Sequence, residues 1–301
     1  MTTRSKYQAL ATEAVNRASR NLDSMSSGQI VELMIVDGRR ASLAVQQAKA
    51  RIAKGATIVA DAVRTGGRVI FVGAGTSGRL GVLEAAELPP TFGVERASAV
   101  AVIAGGRRAV FRAVEGAEDD RTAGRRMMAR LRPRARDVVV AISASGVTPF
   151  VLGAVACASQ ASARIIAITC DARTPLRESA DVAIVLNVGP EVIAGSTRLK
   201  AGTATKMALN MLTTTAMVRA GKTFGNLMVD VRAGSHKLHD RAQRVVSAIA
   251  GISESEAAVL LRKAGGSAKV AVLMQATGES RASAVSRLRV EPRLRKLLGG
   301  R

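Results

Sequence analysis

Cysteine, histidine and aromatic residues are scarce in this sequence. Its 301 residues include no tryptophan, one tyrosine, five phenylalanines, two cysteines and two histidines. Two cysteines cannot supply a disulfide framework, so we expect Cys157 and Cys170 to be small buried hydrophobic residues. His236 and His239 are three residues apart, and no Cys/His cluster has the spacing of a zinc site. We therefore expect two surface histidines on one helix face, with a two-ligand metal site as the alternative, and we predict no metal.

Long apolar runs are also absent. No segment reaches about 18 apolar residues without a polar break, which argues against a transmembrane helix. The first residues, "MTTRSKYQAL", have a basic start but no apolar core behind it, unlike a secretory signal. We expect a cytoplasmic protein without a membrane partner.

Acidic residues are few relative to basic ones, which gives a formal net charge of +22. Such an excess raises nucleic acid as a partner, because basic faces neutralise phosphates. An aromatic content of 2%, however, leaves no stacking platforms for single strands. The excess is concentrated in "RTAGRRMMARLRPRAR" (121–136), read as a solvated helix plus loop, and in residues 281–301, read as a basic tail. We therefore do not predict nucleic-acid binding as the main function.

The middle of the chain alternates short β-branched runs with longer amphipathic ones. Nearly continuous apolar strands separated by helices indicate a parallel sheet covered on both faces. The predicted fold is α/β, a doubly wound five-stranded parallel sheet in residues 61–240, with N-terminal helices (1–60) and a small C-terminal helical bundle with a basic tail (241–301). Ser26 and Gln29 form a possible capping box at the start of the N-terminal helices. The predicted strands are 68–73, 98–105, 137–143, 164–170 and 181–188; the helices between them lie near 78–88, 119–131, 149–161 and 199–220.

The first strand leads into a glycine-rich loop, Gly73 to Gly78, followed by a helix expected to stop at Pro89-Pro90. G-x-G-x-x-G after a strand is shared with dinucleotide-binding folds, but these need an acidic residue at the end of the second strand. Glu95 instead precedes that strand, so we do not predict a dinucleotide. Hydroxyls and bare amides at a helix N-terminus suit a phosphate monoester.

Further hydroxyl-rich stretches follow later strands and support that interpretation. "SASGVTP" follows the third strand, and "GSTRLKAGTATK" (195–206) precedes a long helix. Because parallel strands end at one edge of the sheet, the loops after the first and third strands should meet there. Ordinary helix N-caps remain the alternative for each loop, and Arg198 and Lys200 could equally be capping or surface residues. The candidate phosphate-binding residues are Gly75, Thr76, Ser77, Ser143, Ser145, Gly146, Thr148, Ser196 and Lys200.

Five motifs together carry a family resemblance. "GAGTSGRLGVLEAAELPPTFG", "AVEGAEDD", "SASGVTPF", "GPEVIAGSTRLKAGTATK" and "GKTFGNLMVDV" resemble the N-acetylmuramic acid 6-phosphate etherases, which have the sugar isomerase (SIS) fold. The resemblance runs from about Thr12 to beyond residue 275 and extends to the glucokinase regulatory protein, a non-enzymatic relative. It implies removal of the lactyl ether at C3, giving N-acetylglucosamine 6-phosphate and D-lactate in peptidoglycan recycling. It also implies a homodimer and a reaction without a cofactor.

The resemblance assigns roles to two glutamates. Glu87 matches the catalytic acid that protonates departing lactate, and Glu118 matches the second catalytic glutamate, interpreted as the base at C2. Partial burial of Glu87 at the end of an apolar helix would raise its pKa and keep it protonated. Without the resemblance, Glu84 and Glu87 would both be read as surface residues. Glu118 and its acidic neighbours would be read as a negative helix N-terminus.

The chain departs from the family pattern at several positions. Val147 replaces a usual arginine, Phe150 a common tyrosine, and Asp171-Ala172 an asparagine-proline turn, while "VDGRR" (36–40) replaces a more acidic segment. These changes leave open a sugar-phosphate sensor without turnover. A phosphosugar isomerase is a third hypothesis, which lacks an obvious separate base.

Overall fold

The computed structural model describes residues 10–230 and 236–299, with the side chains of His236 and Lys237 also outside the description. The described residues form two compact units. The first contains the described residues up to Ala85 together with Ala97–Thr213. The second contains Ala86–Arg96 together with the described residues from Thr214 onward. Of the two histidines predicted to share a surface helix face, the side chain of His236 lies outside the described residues and His239 is exposed.

The first unit begins with two helices, α1 (Ser27–Gln47) and α2 (Lys49–Arg64). The predicted capping box is present: the Gln29 amide donates to Ser26 Oγ at 3.3 Å, and the Ser26 amide donates to Gln29 Oε1 at 2.8 Å. These contacts satisfy two of the amides that a helix start leaves without partners. The chain therefore enters α1 at the residue the sequence indicated.

A parallel sheet with strand order β2-β1-β3-β4-β5 forms the centre of the first unit. The central strand β1 pairs with β2 on one side and β3 on the other, in parallel register throughout. Both faces are buried, which is why these strands read as uninterrupted apolar runs. The predicted fold class is confirmed. The strands are β1 (Val69–Gly73), β2 (Ala99–Ile103), β3 (Val138–Ile142), β4 (Arg164–Thr169) and β5 (Val182–Val185).

Helices separate the strands and cover the sheet. Met128 from one helix and Phe150 from another are fully buried with sheet residues such as Ile70 and Ile165 in one apolar cluster. The interhelical contact is close, because a methyl group on Gly124 would lie 1.9 Å from the Phe150 carbonyl oxygen. The helices are α3 (Gly75–Phe92), α4 (Arg108–Phe111), α5 (Arg121–Arg130), α6 (Pro149–Gln160), α7 (Pro175–Glu178) and α8 (Lys200–Arg219).

The expectation that Pro89-Pro90 stops the helix after the glycine-rich loop is wrong. Helix α3 includes both prolines and ends at Phe92. Proline removes the hydrogen bond to the carbonyl four residues earlier but leaves its own carbonyl available. The Gly93 amide donates to the Pro89 carbonyl at 3.0 Å, so the last turn closes beyond the prolines.

The second unit contains a short hairpin, β6 (Thr223–Phe224) and β7 (Leu227–Met228), and a bundle of helices. Fully or almost fully buried side chains, including Val246, Leu273 and Leu294, make up its core. The helices are α9 (His236–Ala250), α10 (Glu254–Lys263), α11 (Ala268–Thr277), α12 (Arg281–Val290) and α13 (Leu294–Leu297).

The last part of the chain is folded rather than a basic tail. Ala284 and Leu294 are 0% exposed within the core of the second unit. The Arg295 guanidinium lies 4.7 Å from the centre of the Phe224 ring, in a cation–π contact. The high arginine content hides the apolar pattern of these short helices. Their apolar residues are widely spaced, so only one side of each helix is buried. None of the described helices is long and apolar enough to cross a membrane.

Candidate active site at the carboxyl edge of the parallel sheet

The strand order creates a crevice between β1 and β3. From β1 the chain continues toward β2 on one side, and from β3 it continues toward β4 on the other. Loops that diverge in this way leave an opening at the carboxyl ends of the strands, where open α/β sheets bind ligands. A cleft of about 280 Å³ lies there, lined by Leu10, Thr12, Glu13, Ala74, Gly75, Thr76, Ser77, Glu118, Asp119, Ile142, Ser143, Ala144, Ser145, Val147, Thr148, Pro149, Gly195 and Thr197.

The glycine-rich loop brings the start of α3 against the end of β1. A methyl group on Gly78 would lie 2.6 Å from Ile103 Cγ1 and 2.8 Å from the Gly73 carbonyl oxygen. Gly75 has a φ of +52°, which favours glycine. Helix α3 begins at Gly75, so Thr76 and Ser77 lie in its first turn. Amides of a first helical turn lack intrahelical partners and favour anions.

The second loop carries a chain of hydroxyl groups. Ser143 Oγ lies 2.8 Å from Thr148 Oγ1 and 3.4 Å from Ser145 Oγ, and it accepts a 3.0 Å hydrogen bond from the Gly146 amide. Thr148 occupies the N-cap position of α6, but its side chain makes no capping hydrogen bond. The alternative of an ordinary N-cap therefore does not apply to Thr148, whose hydroxyl lies among the cleft-lining groups.

The start of α6 is held instead by the backbone of Glu118. The Phe150 amide donates to the Glu118 carbonyl at 2.9 Å, which fixes this residue beside the hydroxyl-rich loop. Glu118 and Asp119 line the cleft and are exposed. Asp120 caps α5, accepting from the Ala123 amide at 2.7 Å. The acidic run thus combines a helix cap with two acidic residues that line the cleft.

The two glutamates of α3 have different environments. Glu84 is 5% exposed and accepts hydrogen bonds from Lys206 Nζ at 2.6 Å and Thr213 Oγ1 at 2.9 Å. Its interpretation as a surface residue is therefore wrong. Glu87 is exposed, which contradicts the expected partial burial. Glu87 belongs to the second compact unit, whereas the cleft is lined by residues of the first.

The third predicted stretch contributes unevenly to the cleft. Gly195 and Thr197 line it, whereas Ser196 is half-buried and outside the lining. Lys200 is 4% exposed, and its ammonium donates to Asp37 Oδ2 at 2.6 Å and to the Pro190 carbonyl. This pairing engages Lys200 in a buried network and takes its charge away from the cleft.

Glu191 completes that buried network. Its carboxylate accepts from the amides of Lys200, at 3.2 Å, and Ala201, at 2.8 Å, so it caps the start of α8. The distance from Lys200 Nζ to Glu191 Oε2 is 3.7 Å. Asp37 also accepts from Asn16 Nδ2 at 3.4 Å. A buried lysine paired with two carboxylates is expensive to disrupt, because removing one partner leaves a buried charge.

An N-terminal segment, residues 10–16, supplies a wall of the cleft that was not predicted from the sequence. The Ala11 amide donates to Asp171 Oδ2 at 3.1 Å, and the Gly195 amide donates to the Thr12 carbonyl at 3.2 Å. The partners in these two hydrogen bonds lie 160 and 183 positions further along the chain. A local pattern cannot reveal such contacts, since only the fold brings the partners together.

The positions that depart from the family pattern are placed differently. Val147 lines the cleft, so the missing arginine removes a cation from the site itself. Phe150 is 0% exposed in the sheet–helix core, so its ring does not face the cleft. Asp171 anchors the N-terminal segment, and Asp37 of "VDGRR" pairs with Lys200.

The comparisons with known proteins agree with this architecture. Residues 51–159 match the glucokinase regulatory protein N-terminal SIS domain, and residues 114–215 match the SIS domain. A phosphoheptose isomerase from Francisella tularensis superposes with a TM-score of 0.51 at 20% identity, covering 64% of this chain and 100% of that one. At that identity the likeness establishes the fold alone.

Curated relatives extend the match to most of the chain. N-acetylmuramic acid 6-phosphate etherase 2 of Vibrio cholerae is 45% identical, covering 93% of this chain and 91% of the relative. The corresponding etherase of Gloeobacter violaceus is 47% identical over the same shares, and that of Rubrobacter xylanophilus is 48% identical over 88% of each chain. On this similarity and on the SIS architecture of its sheet, the chain belongs to the N-acetylmuramic acid 6-phosphate etherase family.

Proposed function

We propose that this protein is an enzyme that cleaves the lactyl ether of N-acetylmuramic acid 6-phosphate, giving N-acetylglucosamine 6-phosphate and D-lactate in cytoplasmic peptidoglycan recycling. The observation that carries the proposal is the placement of Glu118. Glu118 lines the same cleft as residues of the two hydroxyl-rich loops, in a chain related to etherases over 93% of its length.

The charge distribution of the cleft orients a sugar phosphate. Its ionisable lining residues among those described are Glu13, Glu118 and Asp119, and no lysine or arginine lines it. Like charges repel, so a phosphate dianion avoids these carboxylates and binds at the α3 and α6 termini. Ser77, Ser143, Ser145 and Thr148 then donate to phosphate oxygens. The hydroxyl and amide donors of the sugar are left to face the acidic side.

The proposed reaction needs one base and one acid. In the open-chain aldehyde the carbonyl acidifies the C2 proton, which the Glu118 carboxylate removes. The C3–O bond then breaks, with the Glu87 carboxyl assigned to give a proton to the departing lactate oxygen. Water adds to C3 of the unsaturated aldehyde, losing a proton to Glu87, while Glu118 returns a proton to C2. The proposal requires the Glu87 carboxylate to come within hydrogen-bond distance of the C3 ether oxygen.

Substitution of each glutamate tests these roles. We expect Glu118→Gln to lower D-lactate release by about 10²- to 10⁴-fold, the usual contribution of acid–base catalysis, and to abolish exchange of the C2 proton with D₂O. Glu87→Gln should block lactate release while leaving C2 exchange. Lactate is measured enzymatically and exchange by NMR. Glu115→Gln is the matched control, because Glu115 is exposed on the same loop but does not line the cleft. If Glu118→Gln instead retains C2 exchange and Glu87→Gln abolishes it, the acid and base roles are reversed.

A sugar-phosphate sensor without turnover is the second candidate. Val147 favours it, because this cleft residue replaces the arginine usual in the family and the lining then offers no cation. The two functions differ in one measurement. Purified protein that binds N-acetylmuramic acid 6-phosphate but releases no D-lactate is a sensor, and release of lactate excludes that reading.

A further inference from the structure

The N-terminal segment that borders the cleft is fixed in place at several points. Besides the contacts of Ala11 and Thr12, Asn16 Nδ2 donates to the Pro190 carbonyl at 3.3 Å and to Asp37 Oδ1 at 3.4 Å. Asn16 is 8% exposed, and its partner Asp37 is itself held by buried Lys200. Leu10 is also buried, at 6% exposed. A segment anchored through buried groups on both sides of Glu13 holds that residue in a defined position.

Glu13 presents a carboxylate to the cleft from this anchored segment. It lines the cleft and is exposed, and none of the described residues pairs with its carboxylate through an ion pair or hydrogen bond. Its Oε2 atom passes 3.1 Å from where a methyl group on Gly195 would lie, so the absence of a side chain at Gly195, whose φ is +76°, leaves room for it. Among the described residues the carboxylate thus has no partner, and it can accept hydrogen bonds from a ligand.

A second observation indicates that this segment serves a ligand. Thr12 lines the same cleft and is 2% exposed, yet its Oγ1 atom has no hydrogen-bond partner among the described residues. A buried hydroxyl without a partner costs free energy, and native structures keep few such groups away from functional sites. The segment thus places on the cleft wall a hydroxyl, that of Thr12, whose hydrogen-bonding capacity no described residue uses.

We propose that Glu13 is a specificity-determining residue of the sugar-phosphate site, accepting a hydrogen bond from a hydroxyl or amide N–H group of the bound sugar. The inference rests on the proposed function for the ligand class. A carboxylate accepts hydrogen bonds and cannot donate them when ionised, so it favours the donor-rich sugar. The same negative charge repels a free phosphate ion, which has no sugar hydroxyl or amide groups to offset the repulsion. Glu13 therefore raises affinity for the sugar phosphate relative to phosphate alone.

Opposite effects on two ligands test this proposal. Binding of N-acetylglucosamine 6-phosphate and of inorganic phosphate would be measured by calorimetry on the full-length chain. Hydrogen bonds to charged groups correspond to roughly 10-fold or more in affinity, so Glu13→Ala should weaken sugar-phosphate binding by about that factor. Glu13→Gln keeps a neutral acceptor and should lose less. Both variants should bind inorganic phosphate as well as, or more tightly than, the wild type. Glu95→Gln, at an exposed glutamate outside the lining, should change neither affinity.

Two results would overturn the proposal. One is sugar-phosphate affinity within twofold of wild type in Glu13→Ala, and the other is an equal loss of affinity for both ligands, which would indicate a distorted cleft. Failure of the proposed function would appear in the wild-type protein and not in the comparison of variants. Wild-type protein that binds N-acetylglucosamine 6-phosphate without releasing lactate from the etherase substrate refutes the enzyme but leaves the Glu13 comparison decisive. Wild-type protein that binds neither ligand refutes both.

Discussion

At the scale of single residues, Asp137, immediately before β3, is held by hydrogen bonds from Arg68 and Arg134. It is 1% exposed and accepts hydrogen bonds from the Arg68 amide at 2.9 Å, the Arg68 guanidinium at 2.5 Å and the Arg134 amide at 3.0 Å. Burial alone would raise the pKa of this carboxyl, but these hydrogen bonds and the Arg68 charge hold the pKa below its ordinary value of 3.8. Its ionised form is therefore favoured by folding.

The depressed pKa predicts how stability depends on pH. Because the folded pKa lies below the unfolded one, the contribution of Asp137 is fully present above the unfolded value and is lost as pH falls through the folded value. Asp137→Asn should lower the free energy of unfolding at pH 7 by about 3 kcal/mol and flatten its decline below about pH 4. Urea unfolding at several pH values measures both. Asp61→Asn, which removes an exposed ion pair with Arg64, should cost less than about 1 kcal/mol; an equal loss in the two variants would contradict the argument.

We expect the two cysteines to differ in reactivity, because burial also shifts the pKa of a thiol. Burial, followed by the nearby carboxylates of Glu191 and Asp171, raises the pKa of Cys170 to about 12, so its thiolate is scarce at neutral pH. Cys157 is only half-buried, unlike the expectation from sequence. Native protein at pH 8 should react with one equivalent of a thiol reagent much faster than with a second. Denatured protein should titrate two at once, and rapid native labelling of both would refute the prediction.

At the scale of elements, the approach of α3 to β1 depends on glycine. Gly78→Ala would place a methyl group 2.6 Å from Ile103 Cγ1 and 2.8 Å from the Gly73 carbonyl, so the helix start must move. We expect a loss of about 1–3 kcal/mol in the free energy of unfolding and weaker binding of inorganic phosphate. Gly38→Ala is the control: Gly38 lies within α1 with no atom within 4 Å of the added methyl. That change should stabilise the protein by about 0.5–1 kcal/mol. Denaturation midpoints and calorimetry would show whether the two glycines differ in this way.

At the scale of the whole molecule, an exposed apolar face on α1 is consistent with the homodimer that the family resemblance implies. Val31, Met34 and Ile35 are 56%, 41% and 53% exposed at spacings that place them on one helix face. Contiguous exposed apolar residues often mark interaction surfaces. We expect a dimer by light scattering and dissociation toward monomer in Ile35→Glu. Gln47→Glu, which adds the same charge at another exposed position of α1, should remain dimeric. A monomeric wild type would contradict the proposal.

The sequence by itself determined the fold class, the strands and the two hydroxyl-rich loops. Apolar runs specify strands buried on both faces, and glycine and capping residues act on neighbours only a few positions away. Those signals can be recognised without knowing the rest of the chain. The ends of α3 and the helices at 281–297 were less predictable, because local signals such as Pro89-Pro90 or a high arginine content can be overridden by carbonyl pairing and packing.

Only the tertiary structure decided which polar residues meet. It buried Glu84 and Lys200 in ion pairs with partners over 120 and 160 residues away, left Glu87 exposed, and brought Leu10, Thr12 and Glu13 to the cleft. The physical reason is that the burial and pairing of a side chain depend on distant groups that its own neighbours in sequence do not specify. The fold around the parallel sheet brings those distant groups together, and so it determines which acidic residues line the cleft.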